Sequence, residues 1–247
     1  MESESGEPRF MRHGTSHTMA INPLDNPVWH ALAGPHRAHA VAHRLAAHYL
    51  RDIAPFSAIA EPSAQAYADL AIDLPAKTEA RLFRPSEEPL PDGWEQLDAF
   101  PMLQMVAVSV PHGSEASATM LSAEDVPAML ALVAAAKPGP FGPRTPVLGR
   151  YLGVKQGGRL IAMAGERMRL PGFVELSAIC VHPDARGQGH AARLTQDLMR
   201  QALARGEVPF LHVRPDNGAA IALYKRLGFN EYPRNDMGDA HMVLALL

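Results

Sequence analysis

The stretch from Phe173 to Phe229 constrains the fold more than any other part of the chain. It reads as strand, glycine-rich turn, helix, strand, helix. Glu175–Val181 alternates in polarity and is rich in strand formers. His182-Pro183-Asp184 ends it, because proline has no N–H to give to a ladder. Arg186-Gly187-Gln188-Gly189-His190-Ala191 follows, and Ala192 to Arg205 then has helical periodicity. Leu194, Leu198 and Ala202 recur at four-residue spacing on one face, with Ala191 leading in. Gly206 suits the position just past the helix end, and Arg200 and Arg205 suit its negative pole.

The chemistry of the turn follows from its backbone. Gly187 and Gly189 lack a Cβ, so the chain can turn tightly and a ligand can approach the main chain. The first N–H groups of the next helix have no internal partner and, with the helix dipole, form a site for phosphate or pyrophosphate. Three cofactor types compete for such a turn. A P-loop needs a lysine and a Ser/Thr after the second glycine, and His190-Ala191 is not that. The dinucleotide pattern is closer, since Gly187-x-Gly189-x-x-Ala192 fits its loose form. That fold wants its first glycine almost directly after the strand, and here His182 to Arg186 intervene. Too little chain follows for a full doubly wound sheet.

The third reading is a resemblance. Arg186-x-x-Gly189-x-Ala191 resembles the Q/R-x-x-G-x-G/A signature of the GNAT acyltransferase superfamily. Val181-His182-Pro183-Asp184 ahead of it is also similar to that family. So is the run from Asn217 through Ala220, Leu223-Tyr224 and Gly228-Phe229, which matches N-x-x-A-x-x-L-Y-x-x-x-G-F. The detailed match spans Phe173–Phe229 and extends weakly upstream to Met120; the subgroup it most resembles is related to glycine N-acyltransferases. The resemblance implies an α/β fold: a mixed, mostly antiparallel central sheet flanked by helices, with a splayed parallel strand pair. It also implies acetyl-CoA or another short acyl-CoA as co-substrate, held by the Arg186, Gly187, Gln188, Gly189, His190, Ala191, Ala192 turn. Main-chain groups around Ile179 and Val181 would pair with the pantetheine amides. Asn217 would hydrogen-bond the cofactor or cap the last helix.

Composition narrows the class. The chain has 247 residues, 47% of them hydrophobic, and a net charge of −3. That suits one large domain or two small ones. The near-neutral balance gives no reason to expect nucleic acid or a membrane surface as partner. No apolar run is long enough to span a bilayer, and the first residues lack a signal-peptide apolar region. One cysteine excludes an internal disulfide and fits a reducing compartment. The expected location is cytoplasmic.

Residues 1–20 read as a disordered polar tail. Residues 21–110 read as a smaller α/β half, for which the subgroup resemblance implies a degenerate second copy of the fold. It has no arginine–glycine turn ahead of a helix, so no second acyl-CoA site is expected there. Val28–Tyr49 reads as two helical pieces broken at Gly34-Pro35, with His36, His39 and His43 on one face of the second. His39 and His43 have the spacing of a metal pair, but no glutamate follows His39 and the expectation is no metal. Strands are expected at Phe56–Ile59, Glu79–Arg84 and within Trp94–Val110, and a helix at Ala64–Leu74. Pro111–Ser117 reads as a linker to a catalytic, acyl-CoA-binding domain at 118–247. There, Ser122-x-x-Asp125 resembles a capping box before a helix to Ala136. Tyr151–Lys155 and Arg159–Met168 read as a hairpin, and Val208–Val213 and His241–Leu247 as further strands. The resemblance places Phe141 and Arg144, in the loop after that helix, toward the acceptor.

Acyl transfer from a thioester to an amine needs a neutral amine, a polarised carbonyl and a proton for the departing thiolate. Glu175 is the candidate base: it begins the strand beside the turn, where related enzymes place a catalytic glutamate. A partly desolvated carboxylate there would have a raised pKa. Glu166 on the neighbouring strand is the reserve, and His212 a weaker candidate for a proton path. Tyr224 is the candidate acid, since the family's tyrosine lies near the CoA sulfur and a phenol is protonated at neutral pH. Cys180 points opposite to Ile179 and Val181 and reads as a small core residue. The leading expectation is an N-acetyltransferase acting on a small-molecule amine or amino acid by direct attack. The alternatives are a protein lysine or N-terminal acetyltransferase and a silent acyl-CoA-binding module. Oligomeric state is not legible.

Overall fold

A strand from the first half of the chain lies in the middle of the sheet. The computed structural model describes residues 22–75, 77–85, 88–109, 118–232 and 240–246. The expected tail at 1–20 and the expected linker at Pro111–Ser117 fall outside them.

In chain order, α1 (Pro27–Leu32) is followed by β1 (Ala40–His43), β2 (Ala46–Tyr49), β3 (Phe56–Ile59), α2 (Ala64–Asp73), β4 (Glu79–Arg84) and β5 (Glu95–Ala107). The second half carries β6 (Thr119–Met120), α3 (Val126–Ala136), β7 (Tyr151–Gln156), β8 (Arg159–Leu170) and β9 (Phe173–Val181). It continues with α4 (His190–Ala204), β10 (Val208–Val213), α5 (Gly218–Arg226), β11 (Phe229–Glu231) and β12 (Ala240–Leu246). The strand order is β1-β2-β3-β4-β12-β5-β10-β9-β8-β7-β6, with β11 paired to β5. Among these pairs only β3/β4 and β9/β10 are parallel. The result is the mixed, mostly antiparallel sheet flanked by helices that the resemblance implies.

β5 has thirteen residues, long enough to serve three partners. One edge pairs with β10, from Val213↔Leu103 to Phe210↔Val106. The other pairs with β12 over its first part and with β11 at its end, Phe229↔Ala107. The two expected parts therefore share one sheet. Alternation along β5 feeds both faces. Leu103, Met105 and Ala107 pack with Leu194, Leu198 and Leu211 beneath α4 and α5. Phe100, Met102 and Val106 pack on the opposite face, with Val28, Phe56, Phe83 and Phe210 under α1. α3 covers the same face further along, over Met163 and Cys180. Each fully buried Leu, Met or Phe contributes about 1.5–3 kcal/mol, so β5 ties two cores together.

The histidine-rich stretch departs from expectation. After α1 the chain forms a single 3₁₀ turn at Arg37–His39 and then the β1–β2 hairpin, not a second helical piece. Alanine's helix preference loses to burial, because Ala46–Tyr49 is buried throughout and paired on both edges. His39 and His43 share no helical face. His36 is buried with Nδ1 2.9 Å from the Tyr49 hydroxyl, and burial lowers its imidazole pKa to about 4. The capping box at Ser122 and Asp125 is present, on the 3₁₀ turn that leads into α3. Among the described residues no helix is long and apolar enough to cross a membrane.

Residues 118–247 expressed alone should show no cooperative unfolding in denaturant, because removing β5 unpairs an edge of β10 and of β12. The full chain should unfold cooperatively. A cooperative transition of the fragment, with full acyl-CoA binding, would contradict the central place of β5.

Candidate active site

Gly187 and Gly189 both adopt left-handed backbone, φ +77° and +75°. Any side chain would be strained there. Nothing lies within 4 Å of the point where a Cβ at Gly187 would sit, so that side of the turn is open. Gly189 is the N-cap of the 15-residue α4. The first amide of the helix to bond back is that of Arg193, to the Gly189 carbonyl at 3.1 Å. The amides of His190, Ala191 and Ala192 precede it and have no partner within the helix. Together with the dipole they form an anion cradle whose shape and charge fit a pyrophosphate.

The neighbouring strands separate in front of this cradle. β9 and β10 are paired at Val208↔Phe173, Pro209↔Val174 and Phe210↔Glu175, and no further. Both strands continue, to Val181 and to Val213. Within the gap, β9 carries one extra residue against β8, and Ala178 there has φ +52°. A cavity of about 1180 Å³ occupies the opening. Its walls include Leu176, Ile179 and Tyr224 from the α4/α5 side and Met102, Ala136 and Pro138 from the other. The cavity thus crosses the sheet, with the anion cradle at one end.

Most of the residues singled out in the sequence converge here. Ile179, Val181, the turn from Arg186 to Ala192, Asn217 and Tyr224 all border the cavity. Asn217 Oδ1 accepts the Ala220 amide at 3.2 Å and so caps α5. The Tyr224 ring packs edge-on against Phe229, 6.0 Å between centroids, and burial raises its phenol to about 12. The hydroxyl is therefore protonated at neutral pH and able to donate. Cys180 packs on the α3 side, where burial pushes its thiol up to about 12 and leaves it unreactive.

Glu175 requires a correction. It is fully buried and does not border the cavity. Arg167 donates to it twice, from Nε to Oε2 and from Nη2 to Oε1, each at 2.6 Å. His212 Nδ1 lies 2.8 Å from Oε1. Burial alone would raise the carboxyl pKa, but the charge and hydrogen bonds of Arg167, then those of His212, outweigh it and hold it at about 2. The raised pKa expected of a base is absent. Glu166 is likewise engaged, by Arg205 at 2.5 Å and Arg169 at 3.0 Å, and anchors the end of α4 to β8. Phe141 stacks edge-on against Tyr151, and Arg144 pairs with Asp52 at 2.7 Å. The loop's contribution to the cavity comes instead from Lys137 and Pro138. Arg167, Met102 and Lys137 were missed. Only Arg167 left a sequence signal, as a cation across the Pro171-Gly172 turn from Glu175.

Comparison with known proteins agrees with this geometry. The family model described as FR47-like protein matches residues 151–237. The N-alpha-acetyltransferase RimI of Mycobacterium tuberculosis is 44% identical over 82 residues, 32% of this chain and 51% of that protein. The [Ribosomal protein bS18]-alanine N-acetyltransferase of Escherichia coli K12 is 36% identical over 107 residues, 39% of this chain and 72% of that protein. The chain thus spans about half the length of the first and most of the second. A solved GNAT-family structure from Novosphingobium aromaticivorans is 37% identical with a TM-score of 0.82, covering 91% of this chain and 98% of that one. The chain belongs to the GNAT family of acetyltransferases.

The Glu175 pair has a measurable acid signature. Its folded pKa, about 2, lies below the ordinary 4.5, so it stabilises the fold above pH 4.5 and that stability is lost as pH falls through 2. The displacement corresponds to about 3 kcal/mol. Unfolding free energies measured from pH 7 to 2 should show this fall in the wild type and lose most of it in Glu175→Gln, which starts less stable because buried Arg167 is unpaired. Parallel pH profiles for the two proteins would contradict the ion pair.

Proposed function

We propose that this protein transfers the acetyl group of acetyl-CoA to the α-amino group of an acceptor by direct attack. The observation that carries the proposal is the cavity that crosses the sheet, with the anion cradle at one end and Tyr224 in its wall. Acetyl-CoA supplies the activated thioester. The Arg186–Ala192 turn binds the pyrophosphate through main-chain amides. The unpaired edge of β9 around Ile179 and Val181 bonds the pantetheine amides as a neighbouring strand would. Tyr224 donates its proton to the leaving sulfur. Met102, Ala136 and Pro138 face the incoming amine from the far side of the sheet.

For the acceptor, the names of the curated relatives favour a polypeptide N-terminus: one is an N-alpha-acetyltransferase, the other acts on the alanine of a ribosomal protein. A free amino acid or other small amine is the second reading. It is favoured by the glycine N-acyltransferase-like resemblance. Both acceptors present the same α-amine.

An acceptor panel with thiol-release detection tests this reading. Peptides beginning with alanine should outperform free alanine and lysine side-chain amines; release with none of them would leave only a silent CoA-binding module. Tyr224→Phe should lower kcat by about 10²-fold with CoA affinity nearly unchanged, the low end for general acids because a thiolate leaves readily. Full turnover in that variant would remove Tyr224 from the chemistry.

A further inference from the structure

The cations around the cavity fall on two faces of the sheet. Histidines apart, the charged residues that border it among the described residues are Lys137, Arg186, Arg214, Asp216 and Arg226. Four of these five are cations, in a chain whose net charge is −3. Arg186 begins the turn into α4, and Arg226 ends α5. Both belong to the face that carries the anion cradle.

Lys137 and Arg214 stand on the other face. Lys137 is the C-cap of α3, which packs over Met163 and Cys180. Its neighbours Ala136 and Pro138 also border the cavity. Arg214 directly follows β10, and its guanidinium lies 4.9 Å from the centre of the Phe100 ring. Phe100 and Met102 pack on that same face, with the core under α1. The two cations thus flank the opening from α3 and from β10, where Met102, Ala136 and Pro138 form its wall.

Both side chains are fixed at the root and exposed at the charge. The Lys137 amide donates to the Val133 carbonyl at 2.8 Å, and its backbone is left-handed, φ +51°. Pro138 keeps it from continuing the helix. Glycine is the ordinary residue at a left-handed helix end, yet a lysine stands here. Its ammonium makes no ion pair among the described residues. Arg214 is held by the Phe100 ring and by Asp216, 3.3 Å from its Nε. With its pyrophosphate on the start of α4, CoA brings its charge to the first face, and the pantetheine arm that crosses the sheet carries none. An anion for Lys137 and Arg214 has to come from the acceptor.

We propose that Lys137 and Arg214 select an acceptor whose α-amine lies close to a carboxylate. The inference rests on the proposed amine acetylation and names the substrate class within it. The carboxylate belongs either to an acidic second residue of a peptide or to a free amino acid; the amine–carboxylate pair is the chemistry they share. The apolar wall beside the two cations strengthens their pull on such a group relative to open water.

The test uses the full chain, acetyl-CoA and amidated peptides that differ only after an N-terminal alanine: Ala-Glu, Ala-Gln and Ala-Lys, beside free alanine and alaninamide. The wild type should favour Ala-Glu over Ala-Gln by about five- to tenfold in kcat/KM, mainly through KM, with Ala-Lys below both. Lys137→Glu should reverse the order of Ala-Glu and Ala-Lys. Its CoA affinity should stay within about twofold of wild type, since solvent screens an exposed charge across the sheet. A preference for Ala-Glu assigns the carboxylate to a peptide; free alanine used better than alaninamide, with the difference lost in Lys137→Glu, assigns it to an amino acid. Should Lys137→Glu fail to fold, salt decides: the wild-type KM for the favoured acceptor should rise between about 50 and about 500 mM NaCl while that for its neutral counterpart holds. A wild type indifferent to these carboxylates, a preference that Lys137→Glu leaves in place, or a KM that ignores salt overturns the proposal. A wild type that binds CoA but acetylates no amine sinks the proposed activity as well, whereas acetylation without a carboxylate preference sinks this inference alone.

Discussion

The opening between β9 and β10 is the constraint on which the rest of the site depends. Two parallel strands that part after three residue pairs leave main-chain N–H and C=O groups without a ladder partner. Such groups must be met by water or by a ligand. The bulge at Ala178 turns β9 away, and the Arg167–Glu175–His212 staple holds β8, β9 and β10 together where the parting starts. A buried ion pair adds little net stability over a well-packed apolar set, but removing one partner costs about 3–5 kcal/mol. The staple is therefore better understood as fixing where the strands diverge than as a source of stability.

The first half of the chain supports that opening from the other side. β5 supplies the antiparallel neighbour that β10 keeps while it leaves β9, so β10 is paired on one edge along its whole divergent part. The same strand brings Met102 to the cavity. The ring of Phe83 on β4 and the hydroxyl of Tyr49 on β2 complete the surroundings of the Glu175 cluster. The side of the cavity away from α4 and α5 is in this way lined by both halves, with Met102 from one and Ala136 and Pro138 from the other.

Local patterns carried much of this. The glycine turn, the capping box, the hairpin of β7 and β8 and the Asn217 cap each rest on residues close in sequence, and each is found where expected. What was illegible depends on pairing between distant strands. Nothing in Glu95–Ala107 says that it will lie between β10 and β12. Alanine-rich Val28–Tyr49 read as helix because its burial on both sides comes from partners elsewhere in the chain. Glu175 read as a base because a carboxylate near a turn suited to an acyl-CoA pyrophosphate is chemically apt. Its actual state is set by Arg167 and His212, eight residues before it and 37 after it.

The central claim is that one acyl-CoA enters this opening with its pyrophosphate on the start of α4. Calorimetric titration of CoA into wild type and Gly189→Trp tests it directly. A bulky side chain at a left-handed N-cap both strains the turn and fills the approach to the amides. One CoA per chain in the wild type, with binding abolished in a Gly189→Trp protein that remains folded, is the predicted result. Unchanged affinity in the variant, two CoA per chain, or tight NADH binding without CoA binding would contradict it.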